Sequence, residues 1–478
     1  MTSKQVAKSL LGRFADARWL TAVVCALLLL VLLFLLAGAP VLPSFLAFVL
    51  ITAAAVAVYS HTDACTRAGQ ITLIVSAFVL SAGIVANVFY FTTLSGGTDA
   101  SPVLQNPDAL RNWDDAMYRL GVGGTPAHHV HGLYGAILAA LFSITGPSVT
   151  AGLMLSMVFT LVTLVAASAM SMRLCSDRRM ATVAMIATAS VCYLMASGMI
   201  LIKDAMVIAA ISLGGLSVSG SRLSLVPLAV AAAMLVLSRV NYLIYLPLGI
   251  VITYFAHSHY GWREAAVRLS AIGVVLVLWL APEVSDHTSA VASLAELHSS
   301  EVWVHPQQHA YYNLVGDFFA MPLWRKALLV PVSAVVQFFI PFPWNFGRDI
   351  VYGISQVYAH VAYPWYVFGG IFAFFLIFRL KKAPRQLLMF SAFAVLVWLA
   401  PCGFCGGTVS RYALPAVPMM AVAVAWTIGG LAGYRRKLYV WMAAWCAVVA
   451  ICLIVCHRMQ AQSASEPLNI STEYQISQ

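Results

Sequence analysis

Residues 19–36 read WLTAVVCALLLLVLLFLL, a stretch without a charge or a helix breaker. As an α-helix it rises about 27 Å, close to the ~30 Å hydrocarbon core of a bilayer. In lipid, only helices and closed barrels satisfy their own backbone hydrogen bonds. The apolar residues are continuous rather than alternating, which selects the helix. Lys4, Lys8, Arg13 and Arg18 precede the run. It is too long for a signal-peptide core and has no convincing cleavage site, so it reads as a retained first helix.

The rest of the chain repeats this pattern. Of 478 residues, 62% are hydrophobic and 9% charged, with mean hydropathy +0.88. A soluble domain carries roughly 25% charged residues, so this chain cannot cover itself in water. Further spans are expected at 42–59, 70–92, 149–172, 180–198, 203–219, 223–240, 241–257, 265–282, 361–380, 387–405, 412–432 and 438–456. The expected fold class is an all-α polytopic membrane protein with about 11–14 transmembrane helices. The stretches 132–145 and 327–343 are apolar but do not fit a count of full crossings. The first reads as interfacial or re-entrant; the second either lies in the interface or pairs with 344–360.

Orientation follows from basic residues in short loops. Arg67, Arg173, Arg178, Arg179, Arg222, Arg263, Arg268, Lys381, Lys382, Arg385, Arg435, Arg436 and Lys437 mark cytoplasmic turns. The division is then a cytoplasmic tail at 1–18, a transmembrane domain at 19–456 and an extracytoplasmic tail at 457–478. Long outer loops fall at about 93–131 and 283–364. The N-terminus is then expected to be cytoplasmic. The net charge of +10 reads as this loop bias, with some attraction to anionic lipid, and not as nucleic-acid binding.

Polar chemistry is expected on the outer side. The first outer loop contains Asp99, Asp108, Asp114 and Asp115. A carboxylate at a membrane edge can serve as a general base, because low dielectric raises its pKa. The same aspartates could equally be solvated loop residues. Asp115, Tyr118 and Arg119 fall on one face of a short helix. His128, His129 and His131 read as interfacial residues or, with looser support, as metal ligands. Charges in apolar runs are rare and therefore informative. Lys203 (beside Asp204), Arg239 and Arg411 all approach the outer face, where cations suit a lipid-linked phosphate. Each could also be a snorkelling residue. Phe342-Pro-Trp-Asn-Phe-Gly347-Arg348 offers aromatics for sugar stacking and a cation for phosphate, or else an aromatic belt.

Three segments resemble the GT-C superfamily of membrane glycosyltransferases, which includes bacterial relatives of the protein mannosyltransferases and the lipid A aminoarabinose transferases. Asp114-Asp115-Ala-Met-Tyr118 is similar to the acidic segment of their first outer loop. The stretch from His131-Gly-Leu-Tyr134-Gly to Gly146-Pro-Ser resembles the juxtamembrane segment that follows it. Arg411-Tyr412-Ala-Leu-Pro415-Ala-Val-Pro418 looks like their late helix start. The resemblance implies a GT-C-like fold and sugar transfer at the outer face of a bacterial inner membrane. The donor would be a polyprenyl-phosphate-linked sugar and the acceptor a glycan or lipid of the cell envelope. It implies Asp115 or Asp114 as base and Arg411, with Tyr412, at the donor phosphate. Lys203, Arg239, Arg348 and His131 are further substrate-binding candidates, and Asp99 a further catalytic one. No cofactor or metal is expected. The family has Asp-Glu where this chain has Asp114-Asp115, and fewer helices before the acidic loop. Two other functions fit a many-helix protein. One is a polymerase or ligase acting on undecaprenyl-diphosphate-linked repeats. The other is a lipid or solute transporter, which would want charges at mid-depth.

Overall fold

The computed structural model describes residues 41–89, 107–126, 133–220, 222–257, 363–405 and 410–465. Among these residues the chain is all helical, with no strand. Its elements are α1 (Val41–Ser60), α2 (Arg67–Phe89), α3 (Pro107–Arg119), α4 (Tyr134–Thr145), α5 (Val149–Cys175), α6 (Arg178–Ala189) and α7 (Cys192–Ser197). They continue with α8 (Asp204–Val218), α9 (Leu225–Ser238), α10 (Tyr245–His257), α11 (Tyr363–Phe374), α12 (Arg385–Cys405), α13 (Val417–Gly429) and α14 (Arg435–Ser465). The first helix at 19–36, the span expected at 265–282 and the stretch at 327–343 lie outside the described residues.

Among the described residues, four helical segments are long and apolar enough to cross a bilayer: Arg67–Val88, Val149–Cys175, Tyr363–Lys382 and Arg435–Ile454. This is a membrane protein built from helices. Seven further apolar helices are shorter. The stretch expected at 132–145 forms α4, whose 12 residues rise only about 18 Å. The single span expected at 180–198 is instead two helices. Thr188 and Ser190 turn their hydroxyls onto the carbonyls of Ala184 and Ala187, and Val191 is extended. Such local side-chain bonds compete with helix continuation.

Helices α5, α8 and α13 form the centre. α5 packs against α2, α6, α8 and α13, and α6 against α13. α8 is buried almost throughout, from Asp204 to Val218. α14 sits at the periphery, attached to α11 by Trp441 and Trp445, whose indole N–H groups donate to the carbonyls of Gly370 and Tyr366.

The contacts define two ends. At one, Arg173 donates to Leu216 O and Ser224 Oγ, and Arg178 to Asp63 O. Arg379 donates to Gly430 O, and Met180 packs on Gly429. These contacts gather Arg67, Arg173, Arg178, Arg179, Arg222, Lys381, Lys382, Arg385, Arg435, Arg436 and Lys437 at one edge. Only Asp63 and Asp177 oppose them among the described residues. The opposite end holds α3, the link from α7 to α8, and the close of α9.

Candidate functional site

α3 is the polar helix of the structure. Its Ala109, Asn112 and Ala116 are buried, at spacings that make one helical face. That face lies on α4, where Trp113 meets Phe142 at a centroid distance of 5.2 Å. Asp115 falls on the same side and is 1% exposed. Arg119 Nε donates to its Oδ2 at 2.9 Å, one turn along the helix, as the sequence spacing predicts. Tyr118, expected on that face, is exposed instead.

Gly135 of α4 lets the Asp115 carboxyl come in close. A Cβ there would collide with Asp115 Oδ2. Gly124, at φ +82°, folds the chain after α3 back onto the carbonyl of Asp114, a backbone region that favours glycine. Asp114 itself is half-buried. Partial desolvation raises its carboxyl above the ordinary aspartate value.

The link from α7 to α8 is fully buried from Gly198 to Lys203. Asn87 Nδ2 donates to Met199 O at 2.9 Å and Asn112 Nδ2 to Leu201 O at 3.4 Å. Two side chains from α2 and α3 thus satisfy backbone that a helix break would otherwise orphan. The link ends at Lys203 and Asp204, 7% and 5% exposed. Arg239, at the end of α9, donates from Nη2 to Asp204 Oδ1 at 3.2 Å. The sequence offered Lys203 as the neighbour of Asp204 and left Arg239 for a ligand. Here Asp204 engages the Arg239 guanidinium. The phenol of Tyr134, fully buried, lies in the field of Asp204 and next to Ser156. Tyr134 adjoins Gly135, so one polar layer runs from Asp115 through α4 to Asp204 and Arg239.

The depth of this layer follows from helix rise. Arg67 to Asn87 spans about 30 Å along α2, a full hydrocarbon thickness. Ser224 to Arg239 spans about 22 Å along α9. The Asp204–Arg239 pair therefore sits beyond the midplane, sunk below the far edge. Residues 410–416 form a 3-10 segment that packs against α7, α8 and α12. The backbone of Arg411 and Tyr412 thus lies beside the helix that begins with Asp204; their side chains are outside the description. Asp99, His131 and Arg348 also lie outside the described residues.

Sequence reasoning missed Asp204, Asn87, Asn112, Tyr134 and Gly135 as members of this layer. Asp204 did carry a signal, an ionisable group inside an apolar run. Among the described residues, no three His, Cys, Asp or Glu side chains are grouped to hold a metal ion. No family model matches the chain, and neither does any curated protein or solved structure.

Proposed function

We propose that this protein is a membrane glycosyltransferase of the GT-C type, acting at the outer face of a bacterial inner membrane. In this reading the basic end is cytoplasmic and the N-terminus lies on that side. The fold crosses the membrane about 11–14 times in all. The donor is a polyprenyl-phosphate-linked sugar, and the acceptor a hydroxyl of a lipid-linked or cell-envelope glycan.

One observation carries the reading. Charges from α3, the start of α8 and the end of α9 gather in one buried layer, at the end opposite the basic one. Charges sunk this deep in an apolar chain are expensive and mark function by default. Asp114 suits the base better than Asp115 does. It is reachable, and its carboxyl is raised by burial, while Asp115 is enclosed and held by Arg119. Asp114 would take the acceptor proton as the acceptor oxygen bonds to the anomeric carbon. The bond from that carbon to the phosphate oxygen breaks, with inversion, and polyprenyl phosphate leaves. Arg411 and Lys203 would hold the phosphate charge. Asp115 positions α3 through Arg119 and Gly135.

The test is transfer from a synthetic polyprenyl-phosphate sugar by protein reconstituted in vesicles. Asp114→Asn should lower turnover by about 10²-fold or more while the protein still inserts. Normal transfer by both Asp114→Asn and Asp115→Asn would reject the assignment. The alternative is a polymerase or ligase using undecaprenyl-diphosphate-linked repeats. It is favoured by the pairing with arginine of both buried carboxylates among the described residues. In that case Arg411→Ala would abolish activity and Asp114→Asn would not. A transporter would place its charges at mid-depth, and about 22 Å from the basic end is off that plane.

A further inference from the structure

The basic end holds a second constellation, built on the ring of Tyr434. Arg379 is 6% exposed, and its guanidinium lies between two aromatic rings, 4.4 Å from the Trp426 centroid and 4.7 Å from that of Tyr434. Its Nη1 is fixed on Gly430 O. From the solvent side, Lys382 Nζ stands 4.9 Å from the same Tyr434 ring and donates to its hydroxyl. Lys437 Nζ stands 5.9 Å from it. Three cations therefore surround one aromatic side chain.

The helix register brings them there. After Phe374 the chain makes a π-turn, Phe375–Arg379, before the 3-10 turn Leu380–Lys382. A regular continuation from Tyr366 and Gly370, which face α14, would present Ile377 and Lys381 to it. The extra residue of a π-turn presents Phe378 and Lys382 instead. Phe378 meets Trp441 edge-on at 5.6 Å, while Ile377 is left exposed.

Arg379, Lys381, Lys382, Arg385, Arg435, Arg436 and Lys437 converge here. Among the described residues, the two segments that build the cluster, 363–405 and 410–465, carry no acidic side chain of their own. The hydrogen bond from Lys382, with the charges of Lys382, Arg379 and Lys437, holds the Tyr434 phenol below its ordinary pKa, which strengthens it as a donor. The cluster sits where two bilayer-length segments, Tyr363–Lys382 and Arg435–Ile454, reach their ends, at the level of lipid headgroups.

We propose that the Lys382–Tyr434–Lys437 platform is a binding site for the phosphodiester headgroup of an anionic phospholipid. The two ammonium groups would flank the phosphate, and the Tyr434 hydroxyl would donate to a phosphate oxygen. Arg379, clamped behind the ring, supplies fixed positive charge without moving. This site is independent of the outer layer and of any transfer activity.

The experiment compares thermal unfolding of the full chain in phosphatidylcholine nanodiscs with and without phosphatidylglycerol. Phosphatidylglycerol should raise the midpoint by about 3 °C or more, as a ligand that binds only the folded state does. Lys382→Gln with Lys437→Gln should remove most of the rise. Tyr434→Phe, which keeps the ring, should remove part of it. Arg222→Gln, at the same end but away from Tyr434, should leave it intact. If Arg222→Gln lowers the rise as much as the paired lysine change does, the effect is general surface charge and the site is rejected. An equal rise from glycerophosphate in pure phosphatidylcholine would also reject a lipid as the ligand. Should the double variant fail to fold, Tyr434→Phe alone decides, and a full rise in that variant overturns the proposal.

Discussion

At the residue scale, the two buried pairs differ in how they are held and in what their loss should do. Asp115 and Arg119 are one helical turn apart, and Arg119 keeps a water-facing edge. Asp204 and Arg239 come from different helices and are mostly enclosed. Removing one member of a buried pair leaves an uncompensated charge and costs about 3–5 kcal/mol. Arg239→Ala should therefore lower the unfolding midpoint clearly, while Asp204→Leu with Arg239→Met should recover much of the loss. Gly135→Ala tests the other pair. The new methyl would press on Asp115 Oδ2 and should cost about 1–3 kcal/mol, with transfer impaired in the same protein. Asp114 makes a pH prediction. A base acts only when deprotonated, and its carboxyl is raised. Transfer should thus fall, as pH is lowered, at a higher pH than for an ordinary aspartate, and a pH–rate profile reads this directly. The 115–119 pair was legible in the sequence because its spacing is helical. The 204–239 pair was not, since hydropathy and spacing carry no information on which distant charge closes on Asp204.

At the element scale, helix positions were largely legible and their interruptions were not. The expected start and end of the span at 149–172 fall close to α5, and those at 203–219 close to α8, because long apolar runs with polar flanks have few other solutions in lipid. The break after Ala189 lies at the extended Val191, which leaves no trace in a hydropathy average. The π-turn that ends at Arg379 is equally silent. The buried link 198–203 depends on Asn87 and Asn112 for its carbonyls. Asn112→Leu should leave Leu201 O short of a donor, at about 1–3 kcal/mol, and loosen α3 from the bundle. Faster tryptic cleavage at Arg111 or Arg119 in nanodiscs would report that release. Unchanged cleavage would mean that α3 is held by its face on α4 alone.

For the whole molecule, the segregation of charge is the most informative property. Among the described residues, basic residues from separate turns, read from the sequence as one side, gather at one end of the bundle, while Arg263 and Arg268 lie outside the description. The placement of Lys and Arg in short loops made this legible, because such loops have few places to go. If that end is cytoplasmic, a membrane-impermeant maleimide should label Thr125→Cys in intact cells and reach Ser60→Cys only after lysis. The reverse pattern would invert the proposed orientation and move the carboxylate layer to the other compartment.

The α8–α9 hairpin has a consequence for the lipid beside it. Its helices have 15 and 14 residues, and α9 turns Leu225, Val226, Val230 and Val236 outward. An apolar flank only about 22 Å tall is shorter than the ~30 Å of hydrocarbon it faces, and such hydrophobic mismatch is relieved by local thinning of the bilayer. Acyl chains along that flank would be compressed, drawing one leaflet surface down towards Arg239. Shorter acyl chains should then stabilise the protein and longer ones strain it, so bilayer thickness becomes a control on how readily a lipid headgroup reaches the buried layer.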